Sequence, residues 1–246
     1  MGKPKSVAVV GFKDAGKTKV VETLVAELSS RGYRVGTIKH TIDKQPFDKE
    51  GSDTYRHEAA GAEASAIISS SRAAIFLQNP LTLFGAVDAL GDVDYIILEG
   101  FKTTDFCSRI IVPRRQSEVS ELSNGLEILA IKIDDDITAA VPVMSLSNSK
   151  RFADIVEEMA FPLLAGLNCG VCGYQNCREM GQAILQKKAD PMNCVKYKVA
   201  VRVKVNGKPL VLNNFTQTIF RNVVLSLVRS MKDSGEPTRV EVEIDE

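Results

Sequence analysis

The sequence predicts an α/β chain built on a mainly parallel sheet flanked by helices, and three observations predict it. Over about the first 160 residues, short apolar runs alternate with stretches whose apolar residues recur at helical spacing, the signature of strand–helix crossovers. One such junction, Gly11-Phe12-Lys13-Asp14-Ala15-Gly16-Lys17-Thr18, spells G-x-x-x-x-G-K-T between the apolar run Val7–Val10 and a helical pattern. That context makes it a nucleotide-binding phosphate loop and the fold P-loop NTPase-like. Beyond residue 160 the pattern changes twice, first to a segment with four clustered cysteines and then to a β-β-α-β unit.

Composition bounds the rest. The chain has 246 residues, 44% of them hydrophobic, enough for a real core, with 31 basic and 31 acidic residues and a formal net charge of zero. No sequence-wide basic field points to nucleic acid. No apolar run approaches the ~18 residues of a membrane span, and the first apolar stretch is too short for a secretory signal, so a cytoplasmic protein is expected.

The elements follow in order. The first strand is expected at about Ser6–Gly11. The first helix, Lys17–Ser30, places Val20, Val21, Leu24, Val25 and Leu28 on one face, and Gly32 stops it. The second strand is Arg34–Lys39. A charged loop over 41–50 leads to a helix at Asp53–Ala60. Strands follow near Ala64–Ser69 and Ala73–Leu77. Pro80 opens a helix reaching about Leu90. Asp94–Glu99 reads as a buried strand ending in an acid. Strands near Arg109–Val112 and Glu127–Ile133 and a helix at Lys150–Ala160 close a first domain, residues 1–160.

Residues 161–196 are too few for a core of their own without a metal. Residues 197–246 form the third part, a small docking or dimerisation domain. Val199, Val201, Val203 and Val205 alternate with polar or small residues, and Asn206-Gly207 is a hairpin turn signal. Asn213 or Asn214 caps a helix carrying Ile219, Val223, Leu227 and Val228, and Val240, Val242 and Ile244 supply a last strand.

The residue types of the loop specify its chemistry. Backbone amides of residues 11–16 can wrap a polyphosphate at a helix N-terminus. Lys17 reaches the β- and γ-phosphates, and the Thr18 hydroxyl is a Mg²⁺ ligand. An acid is then needed at the C-terminal end of a neighbouring strand. Asp94 and Glu99 bracket one strand and lie roughly 16 Å apart, so only one can serve. Glu99 is at the correct end and is the candidate for the Mg²⁺ or water-orienting acid. His40 lies just past another strand end, at the same sheet edge. Lys39 and Arg56 are solvated charges by default. Lys132-Ile133-Asp134 echoes the K-x-D triplet that reads guanine, although Ile131 stands where that pattern has Asn, and the acidic run 134–136 reads equally as a cap or solvated turn.

Several stretches in order resemble the molybdopterin-guanine dinucleotide biosynthesis adapter family (MobB). These are Gly36-Thr37-Ile38-Lys39-His40-Thr41, residues 47–56, Ala60-Gly61-Ala62 and Ile97-Leu98-Glu99-Gly100-Phe101-Lys102, together with the phosphate loop. The resemblance implies a dimeric adapter that binds GTP, hydrolyses it weakly and assists a molybdenum cofactor guanylyltransferase. Residues 11–18, His40, Asp48 and 99–102 fall on matching motif positions. Where family members often carry a second histidine after His-Thr, this chain has Ile42-Asp43.

Four cysteines have the spacing C-x₂-C-x₄-C-x₁₆-C: Cys169, Cys172, Cys177 and Cys194. In a reducing compartment such a cluster reads as a metal site rather than a disulfide frame. Gly170 and Gly173 allow close wrapping, and a helix at Glu179–Lys188 spans the gap until Asp190-Pro191 ends it. The isolated fourth cysteine favours a 4Fe–4S cluster, with structural zinc as the competing reading. Residues 169–177 and 189–194 also resemble the four-cysteine 4Fe–4S domain of corrinoid iron–sulfur proteins, which implies ligation by all four thiols. Cys107 stands apart and reads as a small buried residue.

The combined expectation is a GTP- and Mg²⁺-binding adapter with a 4Fe–4S cluster, acting on a guanylyltransferase or on a molybdo- or tungsto-enzyme. The alternative is an ATP-dependent iron–sulfur carrier or reductase. Such carriers place a lysine directly after the first loop glycine, where this chain has Phe12, with Lys13 one position later. A non-catalytic scaffold that docks a molybdoenzyme through residues 197–246 is the third reading.

Overall fold

In a computed structural model, residues 3–41, 47–133, 135–198, 201, 203–206, 208–210, 212, 214–232, 240 and 242 are described. The chain divides into two compact units, Met1–Leu163 and Leu164–Glu246.

The first unit is organised by β1 (Lys5–Val10), the strand that runs into the phosphate loop. Val7 to Val10 are fully buried, as expected of a strand covered on both faces. It pairs in parallel with β5 (Tyr95–Glu99) on one side and β6 (Ser108–Ile111) on the other. Beyond β5 lies β2 (Val35–Lys39); beyond β6 lie β7 (Glu127–Ile131) and β8 (Val143–Met144). The order β2-β5-β1-β6-β7-β8 is parallel throughout. A short β9 (Phe161–Pro162) returns antiparallel beside the start of β1. Two buried serines fasten that corner: Ser6 Oγ donates to the Phe161 carbonyl at 3.0 Å and Ser108 Oγ to the Ser6 carbonyl at 2.7 Å.

α1 (Lys17–Ser30) buries Val20, Val21, Leu24 and Leu28 on β1, β2 and β5. Each buried leucine contributes about 1.5–3 kcal/mol. α1 also packs on α5 (Ser149–Met159), to which Arg31 ties it through Asp154 at 2.8 Å and Glu157 at 3.0 Å. On the other face, Ala8, Val10, Ile96, Leu98, Ile111 and Ala130 form a core cluster. Phe84 and Val87 of α3 (Leu83–Ala89) and Val119 and Leu122 of α4 (Gln116–Leu122) close it.

Three local expectations shift. The helix expected to open at Pro80 begins at Leu83, because Thr82 caps it by accepting from the Gly85 amide at 3.1 Å. α4 has no counterpart in the periodicity, since it is short and Glu118 occupies a buried position. The runs at 64–77 do not join the parallel sheet. Among the described residues β3 (Ala64–Ile68) and β4 (Ala73–Leu77) pair only with each other, as an antiparallel hairpin beside α2 (Asp53–Ala59).

In the second unit α6 (Cys177–Leu185) starts two residues earlier than expected, because Asn176 caps it. A 3₁₀ turn, Pro191–Asn193, and α7 (Val195–Lys198) follow. β10 (Val203–Val205) and β11 (Lys208–Leu210) form a hairpin, then α8 (Asn214–Ser230) runs on. Val240 and Val242 carry no strand, and Val199, Asn213 and Ile244 lie outside the described residues. No helix among the described residues is long and apolar enough to cross a membrane.

Candidate functional site

β1 delivers Gly11 to the C-terminal edge of the sheet, the edge where open parallel sheets place their ligands. A Cβ on Gly11 would lie 2.7 Å from the Val112 carbonyl, so only glycine lets the loop pass the end of β6. Gly16, at φ +78, turns the chain into α1 without a side-chain cap, so the first helical amides face the loop free of a capping side chain. Asp14 also takes a left-handed conformation, and the Ala15 amide closes on the Phe12 carbonyl at 3.3 Å. Lys17 lies across the cradle with its Nζ donating to the Phe12 carbonyl at 2.6 Å. Burial pushes the Lys17 ammonium below its ordinary pKa; Glu99 opposes that shift, and the charges of Lys102 and Lys39 add to it.

Register brings the acid to the loop. Glu99 sits opposite Val9 on one side and Lys39 on the other. Thr18 Oγ1 donates to Glu99 Oε1 at 2.8 Å, and Lys39 Nζ reaches the same oxygen at 3.1 Å. The Glu99 side chain is 10% exposed against 61% for Lys39, so a buried carboxylate is held between a hydroxyl and a solvated ammonium. Gly100 adopts φ +104, and a Cβ there would stand 3.0 Å from the His40 carbonyl. The same crossing has the His40 amide donating to the Glu99 carbonyl at 2.9 Å. The His40 ring packs on Phe101, centroids 5.4 Å apart.

Loop residues 11–18, Glu99 and His40 therefore share one sheet edge. Asp94 is at the opposite end, where Arg34 pairs with it at 3.3 Å and depresses its pKa. Arg56 faces Asp53 at 3.8 Å. Asp48 accepts from Thr54 at 2.5 Å, Ser52 at 2.8 Å and the Lys49 amide at 2.7 Å, hydrogen bonds that lower its pKa and brace the start of α2. Lys132 pairs with Asp136, whereas Asp134 lies outside the described residues. Cys107 is fully buried and burial pushes its thiol up to about 12, leaving it unreactive. Lys102 and Arg114 also flank the loop. Sequence reading quoted the first only as part of a motif and missed the second, although Arg114 stands three residues past a strand end at this edge.

In the second unit the cysteine loop is wound by left-handed backbone at Asn168, Gly170 and Gly173, with the Gly173 amide closing on the Gly170 carbonyl at 2.9 Å. Asn168 Oδ1 accepts the Cys177 amide at 2.8 Å, which sets the first residue of α6 against the loop. Cys194 is buried and its Sγ accepts the Ala165 amide at 3.3 Å. Burial raises the Cys194 thiol pKa, and the neighbouring Cys177 and Cys172 raise it further. Three thiols thus lie within electrostatic reach, on a backbone that wraps inward and offers an N–H to sulfur. This donor set fits an iron–sulfur cluster, whose sulfurs commonly accept such bonds. Among the described residues no three His, Cys, Asp or Glu side chains converge on a single-ion position.

Comparison with known proteins agrees with both units. A family profile described as "Molybdopterin guanine dinucleotide synthesis protein B" matches residues 6–134. A second, described as "Putative Fe-S cluster", matches residues 164–196. A Methanocaldococcus jannaschii protein named "Putative molybdopterin-guanine dinucleotide biosynthesis adapter protein" is 29% identical over 241 residues, covering 97% of both chains. The Escherichia coli molybdopterin-guanine dinucleotide biosynthesis adapter protein is 28% identical over 160 residues, 62% of this chain and 91% of its own. The crystal structure of Bacillus subtilis MobB shares the fold at a TM-score of 0.54 and 22% identity, covering 63% of this chain and 96% of that one. These matches do not favour an ATP-dependent iron–sulfur carrier. A segment similar to the "Putative Fe-S cluster" profile follows the first match. With that first profile spanning more than half of the sequence, the chain belongs to the molybdopterin guanine dinucleotide synthesis protein B family.

Proposed function

We propose that this chain is a GTP- and Mg²⁺-binding, weakly hydrolysing adapter in molybdenum or tungsten cofactor maturation, with a 4Fe–4S cluster on Cys169, Cys172, Cys177 and Cys194. The observation that supports the nucleotide part is the convergence of Thr18 and Lys39 on one carboxylate oxygen of Glu99 at the mouth of the loop. Thr18 and Glu99 are the residues that would hold a Mg²⁺ ion, which would supply neutralisation of the phosphate charge. Lys17 leaves the Phe12 carbonyl and turns to the phosphates, where the anion restores the proton affinity that burial removes. The amides of Gly11, Phe12, Lys13, Asp14, Ala15 and Gly16 form the cradle, His40 flanks it, and Asp134 is assigned to the guanine base. With one buried acid and a lysine in place, hydrolysis rests on positioning and is slow.

The domain plan is residues 1–160 for nucleotide, 161–196 for the cluster and 197–246 for docking. The partner is a guanylyltransferase or a molybdo- or tungsto-enzyme, and the adapter acts as a homodimer in the cytoplasm.

Titration of anaerobically purified full-length protein tests the reading. GTP binds more tightly than ATP, Mg²⁺ strengthens GTP binding, Thr18→Ala abolishes the Mg²⁺ effect, and the sample carries about four irons and four sulfides per chain. Equal affinity for ATP overturns the base assignment, and a zinc-replete, iron-free protein overturns the cluster.

A further inference from the structure

The ring of Phe12, first variable position of the phosphate loop, lies within cation–π range of two cations from different loops. Lys102 Nζ is 4.0 Å from its centroid and the Arg114 guanidinium carbon 5.9 Å. Lys102 follows the end of β5 and Arg114 follows the end of β6, so each strand adjoining β1 sends one cation to the same ring.

Both cations are anchored from below. Buried Arg109 donates to the Lys102 carbonyl at 3.2 Å, to the Thr104 carbonyl, and to the Leu122 carbonyl at 2.8 Å, fixing the loop that carries Lys102. Buried Glu118 accepts from the Arg114 amide at 2.9 Å and from its guanidinium at 2.9 and 3.1 Å. Arg115 also lies 3.5 Å from that carboxylate, so one acid faces two guanidinium groups and positive charge is left over. Among the described residues Lys102 forms no ion pair. Lys102 and Lys39 both act on Lys17 through their charge, and Glu99 is already engaged by Lys39 and Thr18; clustered cations of this kind favour a further anion.

We propose that Phe12, Lys102 and Arg114 form a phosphate subsite beside the amide cradle, taking a terminal phosphate dianion. The aromatic face spaces the cations by cation–π attraction, and the planar guanidinium supplies paired donors. The phosphate is either the terminal group of the nucleotide in the cradle or the phosphate of a second substrate brought beside it. The first source rests on the nucleotide reading above; the second does not.

The variants Lys102→Gln and Arg114→Gln are compared with wild type in the full chain. Lys102→Arg serves as the charge-conserving control and thermal melting as the check on folding. In the first arm, fluorescent GDP and a fluorescent non-hydrolysable GTP analogue are titrated. Loss of about tenfold in affinity for the triphosphate analogue with GDP unchanged, restored by Lys102→Arg, assigns the terminal phosphate. In the second arm, inorganic phosphate is titrated by ³¹P NMR into protein saturated with the analogue. If triphosphate affinity is unaltered but phosphate binding disappears in both variants, the phosphate belongs to a second substrate. Variants indistinguishable from wild type in both arms overturn the subsite. If wild type binds no nucleotide at all, the nucleotide reading fails by itself, and the same ³¹P comparison on nucleotide-free protein still decides the subsite.

Discussion

Glu99 Oε1 serves Thr18 and Lys39 at once, while Lys17 rests on a backbone carbonyl of its own loop. The pKa of Lys17 is set by the same neighbourhood. Its free ammonium deprotonates below the ordinary lysine value of 10.5, chiefly through burial, and a polyphosphate favours the charged form. The sign follows: nucleotide affinity holds at neutral pH and declines as pH rises through that depressed pKa. Replacing lysine by arginine, charged at every accessible pH, flattens the decline, and alanine lowers affinity by about tenfold or more at pH 7. Affinity measured across an alkaline pH series for wild type, Lys17→Arg and Lys17→Ala checks both statements. Sequence alone named Lys17, Thr18 and Glu99, because a motif and a strand end are local features. It passed over Arg114, whose partners are Glu118 on the next helix and Phe12 about a hundred positions earlier.

At the scale of elements, α6 shows how a short helix organises the cysteine loop to which the cluster is assigned. Asn176 Oδ1 accepts the Glu179 amide at 2.9 Å, and Glu179 answers by accepting from the Gln175 amide and from Asn176 Nδ2, each at 3.1 Å. This reciprocal cap, together with Asn168 on the Cys177 amide, satisfies donors that a free helix start leaves exposed. Cys177 is the first residue of that helix, so the cap fixes the direction of its thiol. Asn176→Ala costs about 1 kcal/mol. The expected readout is iron loss to a chelator about fivefold faster than in wild type, with nucleotide affinity unchanged. An identical rate of loss means the cap does not steady Cys177. The sequence placed this helix at Glu179–Lys188, spanning the gap between cysteines until Asp190-Pro191. Its start lies two residues earlier, because the Asn176 side chain turns onto the Glu179 amide, a choice of side-chain partner that spacing does not fix.

At the scale of the whole molecule, two elements among the described residues carry runs of exposed apolar side chains. Ile67, Ile68, Ile75 and Leu77 of the β3–β4 hairpin are exposed, and Phe215, Ile219, Val223, Leu227 and Met231 recur every fourth residue along and just past α8. A two-stranded hairpin with a bare apolar face is marginal in water, and patches of this kind mark contact surfaces. The proposed homodimer accordingly uses the hairpin, and Ile68→Lys with Ile75→Lys shifts the protein toward monomer in sedimentation analysis without loss of GTP binding. What the sequence determined by itself was everything encoded in neighbouring residues: the buried strands, the phosphate loop, the amphipathic first helix and the cysteine spacing. Only the tertiary structure decided that β5 lies beside β1 and so sets Glu99 against Thr18, that residues 64–77 leave the parallel sheet, and that cations from two loops meet over Phe12. Those outcomes depend on which strands pair and in what register, and pairing energy is spread over many distant side chains rather than written in any one stretch of chain.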